Sequence, residues 1–258
     1  MTQPITDAKP KMQGLDGPML NIREFNNIVN RPVNPPRFIT VDGLIGAGKT
    51  TLINLLIKKY TETGTRVHAI YEPVDVWQQV GALAEFYKDI PAKCYEFQTF
   101  VYITRIQRVI NEVIANPTAD VYLLERSVFT DRYIFVELLR ELMGTVRIEM
   151  YETWWNMWSS LLDIKITKWV LLDTSLNESL NRISTRARGE EHGITTEYQS
   201  SLLEKHREFF NQLKAAGEST CVIPSELMDA NFREENSEVL DNIANMIISP
   251  DSQSQSDN

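Results

Sequence analysis

Residues Gly43-Leu44-Ile45-Gly46-Ala47-Gly48-Lys49-Thr50 fill every fixed position of the pattern G-x-x-x-x-G-K-[ST]. Glycines let backbone N–H groups close around an anion, the lysine reaches outer phosphates, and the threonine hydroxyl suits a hard metal ion. The flanks have matching character. Phe38-Ile39-Thr40-Val41 reads as a short strand, and Thr51-Leu52-Ile53-Asn54-Leu55-Leu56-Ile57 opens an apolar-periodic helix. Strand, loop and helix N-terminus aim several N–H groups and a helix dipole at one point. The segment predicts a nucleoside triphosphate site with Mg²⁺, built from Gly43, Gly46, Ala47, Gly48, Lys49, Thr50 and Thr51, with Thr50 also serving the metal.

Phosphoryl transfer to a hydroxyl also needs a carboxylate within reach of the departing proton. Glu72, followed by Pro73 at the end of an apolar run, is the leading candidate, against the plainer reading of a surface carboxylate. Glu125 and Arg126 follow another apolar run, where a metal-side acid and a phosphate-side arginine would be useful and an ordinary ion pair would look the same. Arg182, Arg186 and Arg188 precede Gly189-Glu190-Glu191-His192-Gly193, a polar glycine-flanked segment that reads as a mobile lid. Alone, that basic run equally describes a solvated helix face. Beside a phosphate loop, the reading as a clamp on donor phosphates gains weight. Trp77, Phe86, Tyr87, Phe97, Phe100 and Phe135 are mostly core by type. Gln98, Arg105 and Asp131 among them are polar, which core packing does not explain.

The elements that must position these groups alternate along the chain. Apolar strands are expected near 37–42, 67–71, 121–125, 168–173 and 219–224. Helical periodicity covers 49–63, 93–116, 131–143, 149–164, 175–187, 196–215 and 233–248. Strands separated by helices predict one α/β domain over 37–248, a five-stranded parallel sheet covered on both faces. Ligands in such sheets sit beyond the carboxyl ends of the strands, where the loop, Glu72 and Glu125-Arg126 all fall. Residues 1–36, with six prolines, read as a flexible arm, and the polar stretch 249–258 reads as a disordered tail.

Composition narrows the partners. With 26 Lys and Arg against 35 Asp and Glu, a net charge of −9 argues against nucleic acid. No apolar run is long enough to span a membrane, and the N-terminus reads neither as a signal peptide nor as an Arg-rich presequence. Cys94 and Cys221 make no metal spacing or disulfide framework, and His68, His192 and His206 are too scattered for a zinc site. A reducing interior is expected, most simply the cytoplasm, with the mitochondrion left open.

As a set, Asp42-Gly43 through Thr51, Glu72-Pro73-Val74 with Trp77, Phe97-Gln98-Thr99, Glu125-Arg126-Ser127 with Asp131-Arg132-Tyr133, and Arg186-Ala187-Arg188-Gly189-Glu190-Glu191 resemble the deoxynucleoside kinases. The likeness covers about 37–248, and departs modestly at Asp42 and Leu44. It implies a P-loop kinase fold with an arginine-bearing lid and ATP as donor. Glu72 would take the proton of the sugar 5′-hydroxyl, with Arg126 and Lys49 as its catalytic companions. Thr50 and Glu125 would serve Mg²⁺. Tyr87 and Glu191 would hold the 3′-hydroxyl, Gln98 would pair with the base edge and Phe135 would stack on it. Trp77, Phe86 and Val101 would line the cleft, and Phe232 would touch the donor base. Arg105 and Asp131 together imply deoxycytidine or purine deoxynucleosides over thymidine, whose 5-methyl they would crowd, although Val101 is larger than the deoxycytidine-type residue. A homodimer through long helices beside the sheet is implied too. Two rivals stay open: a nucleoside monophosphate kinase, which would need a further cationic pocket near Glu72, and a non-catalytic kinase-like accessory subunit.

Overall fold

The computed structural model describes residues 20–62, 64–229 and 237–248. The chain opens with α1 (Ile22–Val29), then β1 (Arg37–Gly43), α2 (Lys49–Glu62) and β2 (Val67–Ile70). Short helices α3 (Val74–Gln79) and α4 (Ala82–Lys88) lead into the long α5 (Ile90–Ala115) and β3 (Val121–Glu125). A single turn α6 (Val128–Thr130) and a π-helical turn at Asp131–Phe135 run into α7 (Val136–Leu161). Then come β4 (Ile166–Leu172), α8 (Leu176–Arg186), a 3₁₀ turn at Gly189–Gly193 and α9 (Thr196–Ala215). The described chain closes with β5 (Thr220–Ile223), α10 (Ser225–Asp229) and α11 (Ser237–Ile248).

The five strands form one sheet in the order β2-β3-β1-β4-β5, every pair parallel. Alternate residues feed opposite faces, as the two-residue repeat requires. Ile39, Val41, Val121 and Leu123 join Leu52 and Leu56 of α2, Leu202 and Phe209 of α9, and Ile243 of α11. Phe38, Tyr122 and Leu124 join Ile106 and Ile110 of α5, Leu139 and Tyr151 of α7, and Phe25 of α1. The sheet is therefore covered on both sides, and the carboxyl ends of β1, β2 and β3 meet at one edge of these layers.

Three expectations change. The reading of residues 1–36 as an arm with little to bury is corrected for its second half. Asn21 caps α1 through the Glu24 N–H at 3.1 Å, and Phe25 and Val29 are buried. Arg31 ties the following turn down by donating to the carbonyls of Asn34, Pro117 and Ala119. The prolines that dominate the composition all lie outside this short amphipathic helix. The two helices expected at 131–143 and 149–164 are both present, meeting at Gly144, whose φ of 71° only glycine adopts freely. What differs is that the first opens with a π-helical turn at Asp131–Phe135 and the second begins directly after the break. The stretch between β2 and α5, left without elements by periodicity, holds α3 and α4, each too short for a reliable repeat. Residues 1–19, the stretch 249–258 and Phe232 lie outside the described residues.

Candidate active site

The phosphate loop turns between β1 and α2 on glycines with left-handed backbone. Gly46 has φ 82°, and a Cβ there would sit 2.7 Å from the Ser179 carbonyl oxygen, so a larger residue is excluded. Lys49 is the first residue of α2 and is buried, with Nζ donating to the Leu44 carbonyl at 2.9 Å. Burial, and then the Arg126 guanidinium, bring its pKa down to about 8. The Thr50 hydroxyl donates to the Glu125 carboxylate, 2.9 and 3.0 Å from its two oxygens. Burial and the neighbouring Glu72 raise the Glu125 carboxyl above its ordinary value.

Beyond β2 and β3 the charges interlock. Glu72 accepts from Arg105 Nη2 on Oε1 and from Arg126 Nη1 on Oε2, both at 2.8 Å. Burial alone would raise its carboxyl, but Arg126 and Arg105 outweigh that and hold it at about 2. Arg126 sits at φ 58°, an uncommon conformation for a side-chain-bearing residue. Its backbone N–H donates to the Val41 carbonyl at 3.0 Å and its Nη2 to the Gly43 carbonyl at 2.9 Å, which over-determine the turn. Its guanidinium carbon lies 5.0 Å from the centre of the Phe135 ring. Arg105 also grips Asp131 in a fork, with contacts of 2.7 and 3.0 Å. Burial pushes Asp131 up to about 6 despite that fork. The π-helical turn at Asp131–Phe135 is what delivers both Asp131 and Phe135 to this side.

A cavity of about 240 Å³ opens against these groups. Phe86 and Phe97 stack at 4.4 Å along one wall, and the Trp77 indole N–H donates to Thr104 Oγ1 at 2.9 Å. Gln98 is buried on the wall, and among the described residues its Oε1 has no hydrogen-bond partner. A buried amide oxygen left unpaired is costly, so it marks a place where a ligand donor belongs. The chain matches the family model "Deoxynucleoside kinase" over residues 39–249. It belongs to the deoxynucleoside kinase family. A probable deoxycytidine kinase of fowlpox virus is 32% identical over 176 residues, 67% of this chain and 72% of the viral protein. Deoxycytidine kinase 2 of Gallus gallus is 28% identical over 222 residues, 76% of this chain and 82% of its own. The mitochondrial thymidine kinase 2 of Homo sapiens is 30% identical over 176 residues, 66% of this chain and 63% of its own.

In this deoxynucleoside kinase the cavity gathers Glu72, Trp77, Phe86, Tyr87, Gln98, Val101, Arg105, Arg126, Asp131, Phe135 and Glu191 with Gly46, Lys49, Thr50, Glu125, Arg186 and Arg188. Gly43, Ala47, Gly48 and Thr51 belong to the loop and the first turn of α2 without lining it. Arg182 departs from the clamp expected of it. It donates through Nε to Glu178 at 2.8 Å and through Nη1 to the Ala47 carbonyl at 3.1 Å, behind the loop. The other two lid arginines are gathered by buried Glu191, which accepts from Arg186 at 2.5 and 2.7 Å and from Arg188 at 3.0 Å. Sequence reasoning missed Ile45, Tyr71, Val74, Leu83 and Tyr198, which also line the cavity. Tyr71 directly precedes Glu72 and could have been found by its position at a strand end. Tyr198 reaches the site from the first turn of α9, edge-on to Tyr87 at 6.4 Å, and nothing local announces it.

The donor set also bears on the metal. Among the described residues no three His, Cys, Asp or Glu side chains cluster as a metal cage. A hydroxyl and one carboxylate, completed by phosphate oxygens and water, is the arrangement that suits Mg²⁺. His68 instead pairs with Glu112, and His206 is buried with its Nδ1 on the Leu202 carbonyl. No helix among the described residues is long and apolar enough to cross a membrane.

Proposed function

We propose that this enzyme transfers the γ-phosphoryl group of ATP to the 5′-hydroxyl of deoxycytidine and purine deoxynucleosides in preference to thymidine, supplying monophosphates for nucleotide salvage. The observation that carries the base preference is the Arg105–Asp131 fork beside the unpaired amide oxygen of Gln98. That oxygen accepts from an exocyclic amino group, and the amide N–H₂ donates to a ring nitrogen or carbonyl, a pairing cytosine and purines satisfy. Phe135 stacks on the base. The fork stands where a 5-methyl would project and would be desolvated by it without gaining a partner.

The sugar end meets Glu72. Its carboxylate orients the 5′-hydroxyl and accepts the proton as the O5′–P bond forms and the bond to the leaving ADP oxygen breaks. A carboxylate held near 2 is a weak base, which suits a loose transition state in which the hydroxyl loses its proton late. Lys49, Arg126 and the lid pair Arg186 and Arg188 balance charge on the transferring group. Mg²⁺, held by Thr50 and Glu125 directly or through water, would neutralise the donor phosphates. Tyr87 and Glu191 hold the 3′-hydroxyl, a role that fits the burial of Glu191 within the lid segment.

A second reading, thymidine or broad-range activity, is favoured by Val101 and by the thymidine kinase relative. Radiolabelled phosphate transfer from ATP to dC, dG, dA and dT in parallel decides between them. Activity on dC or purines with little on dT supports the proposal, and strong dT activity removes its specificity half. Transfer to none of the four, with ATP bound, favours an accessory role or a monophosphate acceptor. Among the described residues the guanidinium neighbours of Glu72, Arg105 and Arg126, are both committed to it, which speaks against the latter.

The kinase works as a homodimer in this proposal. Val146, Met150, Trp154, Met157 and Leu161 are exposed apolar residues at helical spacing on α7 after the Gly144 break, a stripe that a second copy would cover. Neither Cys94 nor Cys221 forms a disulfide among the described residues, which supports a reducing compartment, most simply the cytoplasm.

A further inference from the structure

Four side chains from the segment after β4 converge on alternate carbonyls of the phosphate loop. The Ile45 carbonyl accepts from Ser179 Oγ at 2.7 Å and from Gln199 Nε2 at 2.9 Å, and Gln199 Nε2 also lies 2.7 Å from Ser179 Oγ. The Ala47 carbonyl accepts from Thr174 Oγ1 at 3.0 Å and from Arg182 Nη1 at 3.1 Å. Thr174, Ser179 and Gln199 are fully buried. In a planar trans peptide the C=O and the following N–H point in opposite directions. Holding the carbonyls of Ile45 and Ala47 back against α8 and α9 therefore turns the N–H groups of Gly46 and Gly48 away from those helices. Among the described residues neither N–H donates to any other group of the chain.

We propose that Gln199, Ser179 and Thr174, with Arg182, are positioning residues that set the polarity of the phosphate loop for the donor. The inference rests on the ATP-dependent reading given above. Glycine makes a peptide flip easy, and a flip at Ile45–Gly46 would aim a carbonyl oxygen at the triphosphate instead of an N–H. The two donors on each carbonyl prevent it. Because α8 and α9 flank the lid, the same helices that carry Arg186 and support Tyr198 also hold the loop in its binding form.

The test uses near-isosteric changes that remove only a donor: Thr174→Val and Gln199→Met, with Thr174→Ser as the hydroxyl-keeping control. ATP affinity is measured by calorimetry, deoxycytidine affinity by tryptophan fluorescence, the melting temperature by heating, and the Gly46 and Gly48 amide resonances by ¹⁵N NMR. The expected result is ATP binding weakened about tenfold in the Val and Met variants, the loss of a hydrogen bond that orients a loop. Deoxycytidine affinity changes less than about twofold, the Gly46 or Gly48 amide loses its ATP-induced shift, and Thr174→Ser restores ATP binding. ATP and deoxycytidine affinities falling together in step with the melting temperature would assign these residues a structural role only. ATP affinity as in the unmodified enzyme would overturn the proposal outright. An unmodified enzyme that binds no ATP would instead sink the donor reading, and the inference with it.

Discussion

Glu72 illustrates how a side chain's neighbours set its chemistry. Both carboxylate oxygens are occupied by arginines, so the group stays ionised at any working pH and can orient a hydroxyl. Glu72→Gln is expected to lower kcat by about 10²–10⁴ while nucleoside affinity stays within a few-fold. Turnover near that of the unmodified enzyme would remove Glu72 from the base role. The same ionisation affects stability. Its folded pKa lies below the ordinary 4.5, so its contribution is present above that value and lost as pH falls toward about 2. Lys49 works in the other sense. Its pKa of about 8 lies below the ordinary 10.5, so the empty site releases a proton first and its contribution to stability rises across that window. A triphosphate would pull the proton back. Calorimetry of ATP binding in buffers of different ionisation enthalpy should show net proton uptake appearing near pH 8 and growing above it, with ATP affinity declining there; proton-neutral binding at pH 9 would contradict this. The Arg105–Asp131 fork gives a third case. Replacing both with Met and Ala should raise the dT-to-dC ratio of kcat/KM by about 10–200-fold, read by the parallel transfer assay. Replacing Asp131 alone leaves a buried guanidinium with one carboxylate fewer, and should cost more stability than the double change.

Helix placement decides which residues reach the cavity. The π-helical turn at Asp131–Phe135 inserts one extra residue per turn and so re-aims the start of α7. Periodicity makes Asp131 and Phe135 members of one ordinary helix; only the family resemblance named both as cleft residues, and the π-helical turn is how both reach it. Gly144 breaks α7 in the gap that periodicity left between the helices expected at 131–143 and 149–164. Helix α1 was hidden for another reason: it is amphipathic, but its eight residues are a short window inside a stretch whose prolines dominate the composition. Its anchor is Phe25, with no exposed surface. Phe25→Ala should cost about 3–5 kcal/mol in denaturant unfolding while leaving kcat/KM unchanged, since the turn after α1 is tied to Pro117 and Ala119 before β3, at the opposite end of that strand from Glu125-Arg126. A loss below about 1 kcal/mol would mean that α1 adds little to the folded domain.

At the level of the assembled chain, the sheet edge is where β1, β2 and β3 deliver the loop, Glu72 and Glu125-Arg126 to one cavity, and the exposed stripe on α7 lies on a helix of the other layer. The dimer proposal predicts twice the monomer mass in light scattering, and Met150→Glu with Trp154→Glu should give monomers by placing charges on the buried face. Monomeric mass for the unmodified kinase at micromolar concentration would end that proposal.

Much of this was already present in the chain's own pattern. The glycine loop, the order of strands and helices, and the charged residues at the carboxyl ends of β2 and β3 are local signals, because each depends on residues close in sequence and on the side-chain repeat of one element. Their convergence on one cavity follows from the general rule for parallel sheets. What needed the fold were relations between distant segments: Arg105 reaching from α5 to both Glu72 and Asp131, Tyr198 entering from α9, and Arg182 turning to the back of the loop alongside Thr174, Ser179 and Gln199. No short-range pattern records these, since a hydrogen bond between residues 45 and 199 leaves no mark on the spacing near either one. Sequence periodicity encodes which face is buried, and only packing determines which buried polar atoms meet.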